Sequence, residues 1–407
     1  MTDTPDRPAH APHARAPQTQ LAHTGRGQDA HYGFVNVPPF RGSTTLYRSF
    51  DALLAGDAPY KYGRRGTPTS QALEGAICAL EQGADTVLVP SGLAAVAGAL
   101  LAFLDSGDHA LIADSVYGPT RSVCEDELRR FGISVTYYDP LLQPHDVLAL
   151  ATERTRILYC ESPGSQTFEM QDIPALADLA RQRGILTMVD NTWASPLYCK
   201  PIALGADVSI QAGTKYIVGH ADAMLGAVTA NAACADRLRA RIQGMGLCAG
   251  SEETYLGMRG MRTLAVRLAQ HHASAVQIAR WLQARPEVDR VMFPALEDDP
   301  GYALWQRDMS GASGLFAVVL KSHDRAHVAA FCDSLTLFGM GFSWGSYESL
   351  IVPFFPGKLR TASPWPRPGQ NDGFCLRLHI GLEAPEDLIA DMDAAFSTSG
   401  LHHAATT

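Results

Sequence analysis

No apolar run in this 407-residue sequence approaches the roughly 20 residues that a membrane-crossing helix needs. The first twenty residues, MTDTPDRPAHAPHARAPQTQ, lack the apolar core of a signal peptide and read as a disordered tail. The eight cysteines never pair as C-x-x-C, which suits buried free thiols in a reducing compartment and offers no metal site. Positive charge is also short. Lys and Arg number 33 against 42 Asp and Glu, and the net charge of -9 argues against a nucleic-acid or anionic-membrane partner. No internal repeat is evident, and no low-complexity segment beyond the tail. Together these absences describe a cytoplasmic, soluble protein.

What is present is globular, with 46% hydrophobic and 18% charged residues. The length exceeds one ordinary core, so two domains, or one large α/β domain with an accessory, are expected. Residues 21–69 are rich in Pro, Gly, Tyr and Arg (VPPFRGSTTLY, YKYGRRGTPT) without sustained periodicity, as in an extended arm reaching a neighbouring subunit. From Ser70 onward, helical patterns alternate with short apolar runs: DTVLV, HALIAD, ISVTYYD, RILYCESP, ILTMVDNT, ADVSIQAGTKY and AMLGAVTA. Such alternation implies crossover connections and a mostly parallel sheet covered on both faces, over 70–260. From about Tyr255 one long helix changes the character of the chain, and a smaller α/β domain follows over 261–407, with strands GLFAVVL and FCLRLHIG.

Ligands of such sheets collect outside the carboxyl ends of the strands. The polar clusters fall there: Ser91-Gly92, Asp114 to Tyr117, Glu161-Ser162, Asp190 to Thr192, and Thr214-Lys215. Ser91-Gly92 stands between a strand and a helix start; it is either a plain turn or an anion site at a helix N-terminus. Asp190 ends a very apolar strand and is either a cap or a buried anion that needs a cation. Lys215 is either a surface residue at a strand end or a desolvated, reactive amine. The three in this order fit pyridoxal phosphate, which needs a phosphate cradle, a carboxylate on its ring nitrogen and a lysine on its aldehyde.

The stretches YGRRGTPT, PSGLAAVAGALLAFLDSGDHAL, ESPGSQTFE, VDNTWASP, SIQAGTKYIVGHADAMLG, SWGSYESL and RLHIGLE carry a resemblance to the Cys/Met-metabolism family of pyridoxal-phosphate enzymes, running from about Tyr32 to Phe396. It implies the type I aminotransferase-like α/β fold. It also implies that Lys215 bonds the cofactor and that Asp190 pairs with its ring nitrogen. Gly92, Leu93 and Thr214 would bind the phosphate, and Tyr117 would stack on the ring. Tyr62 and Arg64 match the pair that reaches the phosphate of the neighbouring subunit. Arg377 matches the guanidinium that holds the substrate carboxylate, with Ser343 and Trp344 lining the pocket. By the same resemblance the protein is a homotetramer of two dimers. The resemblance further implies β-elimination at an L-cysteine thioether, with cystathionine in methionine synthesis giving homocysteine, pyruvate and ammonia.

Two positions depart from the family pattern. Ala212 stands where many members have Ser, so one phosphate hydrogen bond is missing. Phe342 replaces a tyrosine before SWG, which bears on the preferred side chain. Two alternatives remain open: a γ-lyase or γ-synthase sharing every cofactor residue, and a non-catalytic binding protein on the same fold. Trp344 favours the β-specific branch, and the intact Lys215, Asp190, Tyr117 and Arg377 argue against an idle fold. His271 and His272 are adjacent on a helix and point apart, so they share no metal. Cys160 and Cys375 read as core thiols, and Trp281, Trp305 and Trp365 as packing residues.

Overall fold

The first sheet is built from runs short and apolar enough to be buried on both faces. The computed structural model describes residues 16–26 and 33–401. Seven strands, β1 Asp85–Val89, β2 His109–Ala113, β3 Ser134–Tyr138, β4 Thr155–Glu161, β5 Leu186–Asp190, β6 Val208–Gln211 and β7 Gly226–Ala230, form one sheet in the order β1-β7-β6-β5-β4-β2-β3. All pairings from β6 to β3 are parallel, while β7 runs antiparallel to both β1 and β6. Every residue of β2 and β7 is buried, as helices on both faces require. The helix Gly92–Phe103 packs closely because Ala95, Ala99 and Ala102 face inward and are fully buried. Such burial contributes roughly 0.8 kcal/mol per CH2 group.

A second sheet holds β8 Val288–Met292, β9 Leu315–Leu320, β10 Gly339–Met340, β11 Leu350–Phe354 and β12 Cys375–His379, ordered β10-β11-β12-β9-β8. Only β10 and β11 pair in parallel. Its core includes the ring pairs Phe293–Phe316 and Phe331–Phe396, with centroids 5.3 and 4.4 Å apart. Between β11 and β12 the chain doubles back onto the first sheet. There Asp114 accepts the backbone N–H groups of Thr361, Ala362 and Ser363 at 3.1, 2.9 and 2.8 Å and pairs with Arg121. Arg360 pairs with Glu169 at 2.8 Å and Arg367 with Asp139 at 2.7 Å. Three carboxylates of the first unit thus fix where β12 lies.

Three expectations need correction. The disordered tail expected over 1–20 includes residues that fold: Pro17–His23 is a helix that buries Leu21. Residues 1–15 lie outside the described residues. The long helix from Tyr255 is two helices, Ser251–Met261 and Leu264–Gln283, because the chain turns at Arg262 and Thr263. There the Gly260 Cα lies so near the Ile217 and Val218 carbonyls that a Cβ would come within 2.2 and 2.3 Å of them. The strand ADVSIQAGTKY ends at Gln211, so Lys215 stands in the turn beyond it.

Candidate active site

The carboxyl ends of β4, β5 and the turn after β6 face β12 across a cleft lined by Tyr117, Glu161, Phe168, Asp190, Thr192, Ala212, Lys215, Trp344 and Arg377. A roomier cleft of about 370 Å³ lies between Leu141 and Leu304 on the far side of Phe168, but no lysine lines it. The Lys215 cleft is the one that brings together the sequence-predicted Tyr117, Asp190, Lys215, Trp344 and Arg377.

Lys215 is set by backbone bonds rather than by strand pairing. Its N–H donates to the Ala212 carbonyl at 3.0 Å, and its carbonyl accepts from Gly219 at 2.8 Å. Its Nζ donates to Ser343 Oγ at 2.7 Å and lies 5.2 Å from the Trp344 ring centroid. Burial, aided by the Arg377 guanidinium and opposed by Asp190, lowers the amine's pKa from 10.5 to about 8. Neutral, nucleophilic amine is therefore accessible near physiological pH.

The Ser343 turn is an unusual conformation. Ser343 has φ +85°, a region that costs a non-glycine residue of order 1–3 kcal/mol. Arg377 Nη2 donates to the Ser343 carbonyl at 3.2 Å and helps to hold it. At Gly345, φ is +93° and a Cβ would come within 3.0 Å of the Lys215 Cα, so no larger residue fits. Burial lowers the Arg377 pKa to about 10, opposed by Tyr117.

Asp190 ends β5 with hydrogen bonds to only one of its oxygens among the described residues. Oδ1 accepts the Thr192 N–H at 3.0 Å and the Thr192 hydroxyl at 2.6 Å. The same hydroxyl accepts the Ala212 N–H at 2.9 Å, tying Asp190 to the lysine turn. Burial raises the Asp190 pKa, while the Thr192 bonds and Lys215 oppose the rise. Beside it in register stands Glu161, whose carboxyl burial and Asp190 push well above the usual range. Glu161 Oε2 accepts the Tyr117 N–H at 2.8 Å and so places the tyrosine. Burial, with Glu161 contributing, also raises the phenol pKa of Tyr117.

Gly92 opens the helix Gly92–Phe103, and Ser91 caps it by accepting the Ala94 N–H at 3.2 Å. The amides of Gly92 and Leu93 have no acceptor among the described residues. A Cβ on Gly92 would lie 2.5 Å from the Ala212 Cβ, so glycine is needed for this approach. The Thr214 hydroxyl accepts the Leu225 N–H at 2.9 Å and donates to the Leu225 carbonyl at 3.2 Å. Its one proton is thus already engaged. Phe342 is 86% exposed and does not line the cleft.

Tyr62 and Arg64 are not brought to Lys215 within this chain. They line a separate cleft with Arg239 and Gln243, where Arg64 Nη1 donates to the Gln243 carbonyl at 2.6 Å. Sequence reasoning placed Glu161 and Thr192 among the polar clusters at the strand ends without giving them a role, and it missed Phe168. The signal for Glu161 is the one that Asp190 carries, a carboxylate ending an apolar strand. Phe168, with φ +58°, carries no such signal.

The family model of the Cys/Met metabolism PLP-dependent enzymes matches residues 18–397. The cystathionine beta-lyase of Escherichia coli is 42% identical over 93% of this chain and 98% of its own. The cystathionine beta-lyase of Bordetella avium is 43% identical over 93% of this chain and 96% of its own. Among solved structures, a cystathionine gamma synthase from Xanthomonas oryzae superposes with a TM-score of 0.87 at 31% identity, covering 95% of this chain and 99% of that one.

Proposed function

Because this chain belongs to the Cys/Met metabolism family of PLP-dependent enzymes, we propose that it is a carbon–sulfur lyase performing β-elimination on cystathionine. The observation that carries the reading is the convergence of Lys215, Asp190 and Arg377 on one cleft. The cofactor is pyridoxal 5'-phosphate, and the residues present fit it. Two unpartnered helix N-terminal amides, at Gly92 and Leu93, suit a phosphate. One free oxygen of Asp190 suits a ring N–H, and Lys215 supplies an amine of lowered pKa. When bound, the cofactor supplies an aldehyde for an amine and a protonated ring that draws electron density from Cα.

The chain's own residues do the rest. Arg377 holds the substrate carboxylate through its planar fork. Asp190, held by Thr192, keeps the ring-nitrogen proton in place. Lys215 takes the proton from Cα, with Ser343 Oγ steering its Nζ. Tyr117 is aimed by Glu161 to cover the ring, and Trp344 and Phe168 exclude water from the cleft. The Cβ–S bond breaks, the proton that Lys215 took from Cα passes to the departing sulfur, and the aminoacrylate left behind hydrolyses to pyruvate and ammonia. The β-lyase names at 42–43% identity favour β- over γ-cleavage.

Tyr62 and Arg64 serve the neighbouring subunit's phosphate, and the working unit is a tetramer of two such dimers. Support comes from their lining a cleft separate from the one that holds the chain's own lysine, and from the exposed apolar side chains of the same arm, Phe34, Leu46, Phe50 and Leu54. The location is the cytoplasm, supported by eight cysteines that are all free. No helix among the described residues is long and apolar enough to cross a membrane. Product analysis from cystathionine tests the function. Pyruvate with homocysteine supports it, whereas 2-oxobutyrate with cysteine would replace it by γ-cleavage.

A further inference from the structure

Behind Lys215 lies a group of buried rings that the reaction does not use. His271 and His379 are 0% and 1% exposed, with ring centroids 5.3 Å apart, and both border Tyr216. Their protons can be assigned from fixed neighbours. The backbone N–H of Gly345 points at His379 Nε2 at 3.0 Å, and a backbone N–H cannot turn away. Nε2 is therefore the bare acceptor, and the Ser346 carbonyl at 3.1 Å is a bystander. The His379 proton then sits on Nδ1. His271 donates from its own Nδ1 to the Ile380 carbonyl at 2.8 Å, which leaves its Nε2 bare. His379 Nδ1 and His271 Nε2 are left without a hydrogen-bond partner among the described residues.

We propose that His379 is a positioning residue of the active site. As a neutral Nδ1–H imidazole it holds the Gly345 amide, and through it the Ser343–Trp344 turn, against Lys215. The inference rests on reading Lys215 as the reacting lysine. Three observations carry it. Gly345 lies against the Lys215 backbone, Ser343 Oγ receives the lysine Nζ, and Ser343 has a φ of +85° that needs an external hold. Arg377 grips the same turn from two residues earlier on β12, so one strand holds both ends of it. Both histidines remain uncharged in place, since burial lowers the pKa of each.

The test compares His379→Gln, whose side-chain oxygen reaches the Nε2 position, with His379→Leu, which offers no acceptor. In the cofactor-free protein, hydrogen exchange over residues 343–346 should accelerate up to about tenfold in the Leu variant and stay near wild type in Gln. In the loaded enzyme, kcat should fall on the order of 10- to 100-fold in Leu and stay within about threefold in Gln. In a Ser343→Ala background, His379→Leu should lose most of its effect, because the route to Lys215 is already cut. If His379→Leu does not fold, His379→Asn, one bond too short to reach Gly345, replaces it. Unchanged exchange in the Leu variant, equal damage from Gln and Leu, or full additivity with Ser343→Ala overturns the proposal. The exchange arm reads the turn directly, so it decides the matter even if the wild-type protein proves to cleave another thioether.

Discussion

At Lys215 the same desolvation that lowers the amine's pKa makes it a usable base and nucleophile. Lys215→Ala should cut lyase turnover on the order of 10³-fold or more, since one amine serves both roles. The variant should also lose the visible band of the lysine-bound cofactor while keeping wild-type circular dichroism. Substantial turnover with the colour retained after dialysis would remove Lys215 from the mechanism. Asp190→Asn should keep the Thr192 contact but cannot hold a ring nitrogen protonated. Its kcat should fall on the order of 100-fold, with Cα-deuterated substrate showing a larger isotope effect than in wild type. A near-normal kcat would make Asp190 a turn residue only.

Between elements, the ends of β5 and β6 rest on a buried carboxyl. Glu81, the last residue of the helix Pro68–Glu81, is 0% exposed and accepts the side-chain amides of Gln211 at 2.8 Å and Asn191 at 3.4 Å. Burial raises its pKa from 4.5 to about 7, only partly offset by the Gln211, Ser209 and Asn191 hydrogen bonds. The sign of the linkage follows. Below 4.5 the carboxyl is protonated in both folded and unfolded chains; between 4.5 and 7 only the unfolded chain ionises, so stability falls as pH rises. Above 7 the folded chain carries the buried charge at full cost. Glu81→Gln keeps an oxygen for both amides and never ionises. Relative to wild type it should gain stability across this window, reaching on the order of 3 kcal/mol above pH 7. Urea midpoints at pH 4.5 and 8 measure it, and a pH-independent difference would show that Glu81 ionises freely.

At the scale of the molecule, the arm and the Lys215 cleft are joined only if two chains share a site. An inactive Arg64→Ala protein mixed with an inactive Lys215→Ala protein should recover activity after subunit exchange, because one hybrid site then holds both intact residues. Exchange proven by mass labelling without any return of activity would refute the shared site. An active monomer in sedimentation would refute it more directly.

The sequence by itself determined the α/β alternation and most of the strand ends, and it singled out Lys215, Asp190 and Arg377 as candidate site residues. Each of these is written in local pattern: an apolar run that stops at a polar residue, or a motif a few residues long. The turn that holds Lys215 was less legible, since its lysine lies four residues past the strand that pattern alone extends. Only the tertiary structure decided that Ser343 receives the lysine amine, that Glu161 aims Tyr117, and that Glu81 lies beneath Asn191. These pairs stand 128, 44 and 110 residues apart in the chain. The same holds for His271, which on its helix reads as packing beside His272 and turns out to border His379, more than a hundred residues later. The physical reason is that periodicity records which face of an element is buried, not which distant group meets it. That meeting is set by the sheet order and by the return of the chain between β11 and β12, anchored on Asp114, Glu169 and Asp139.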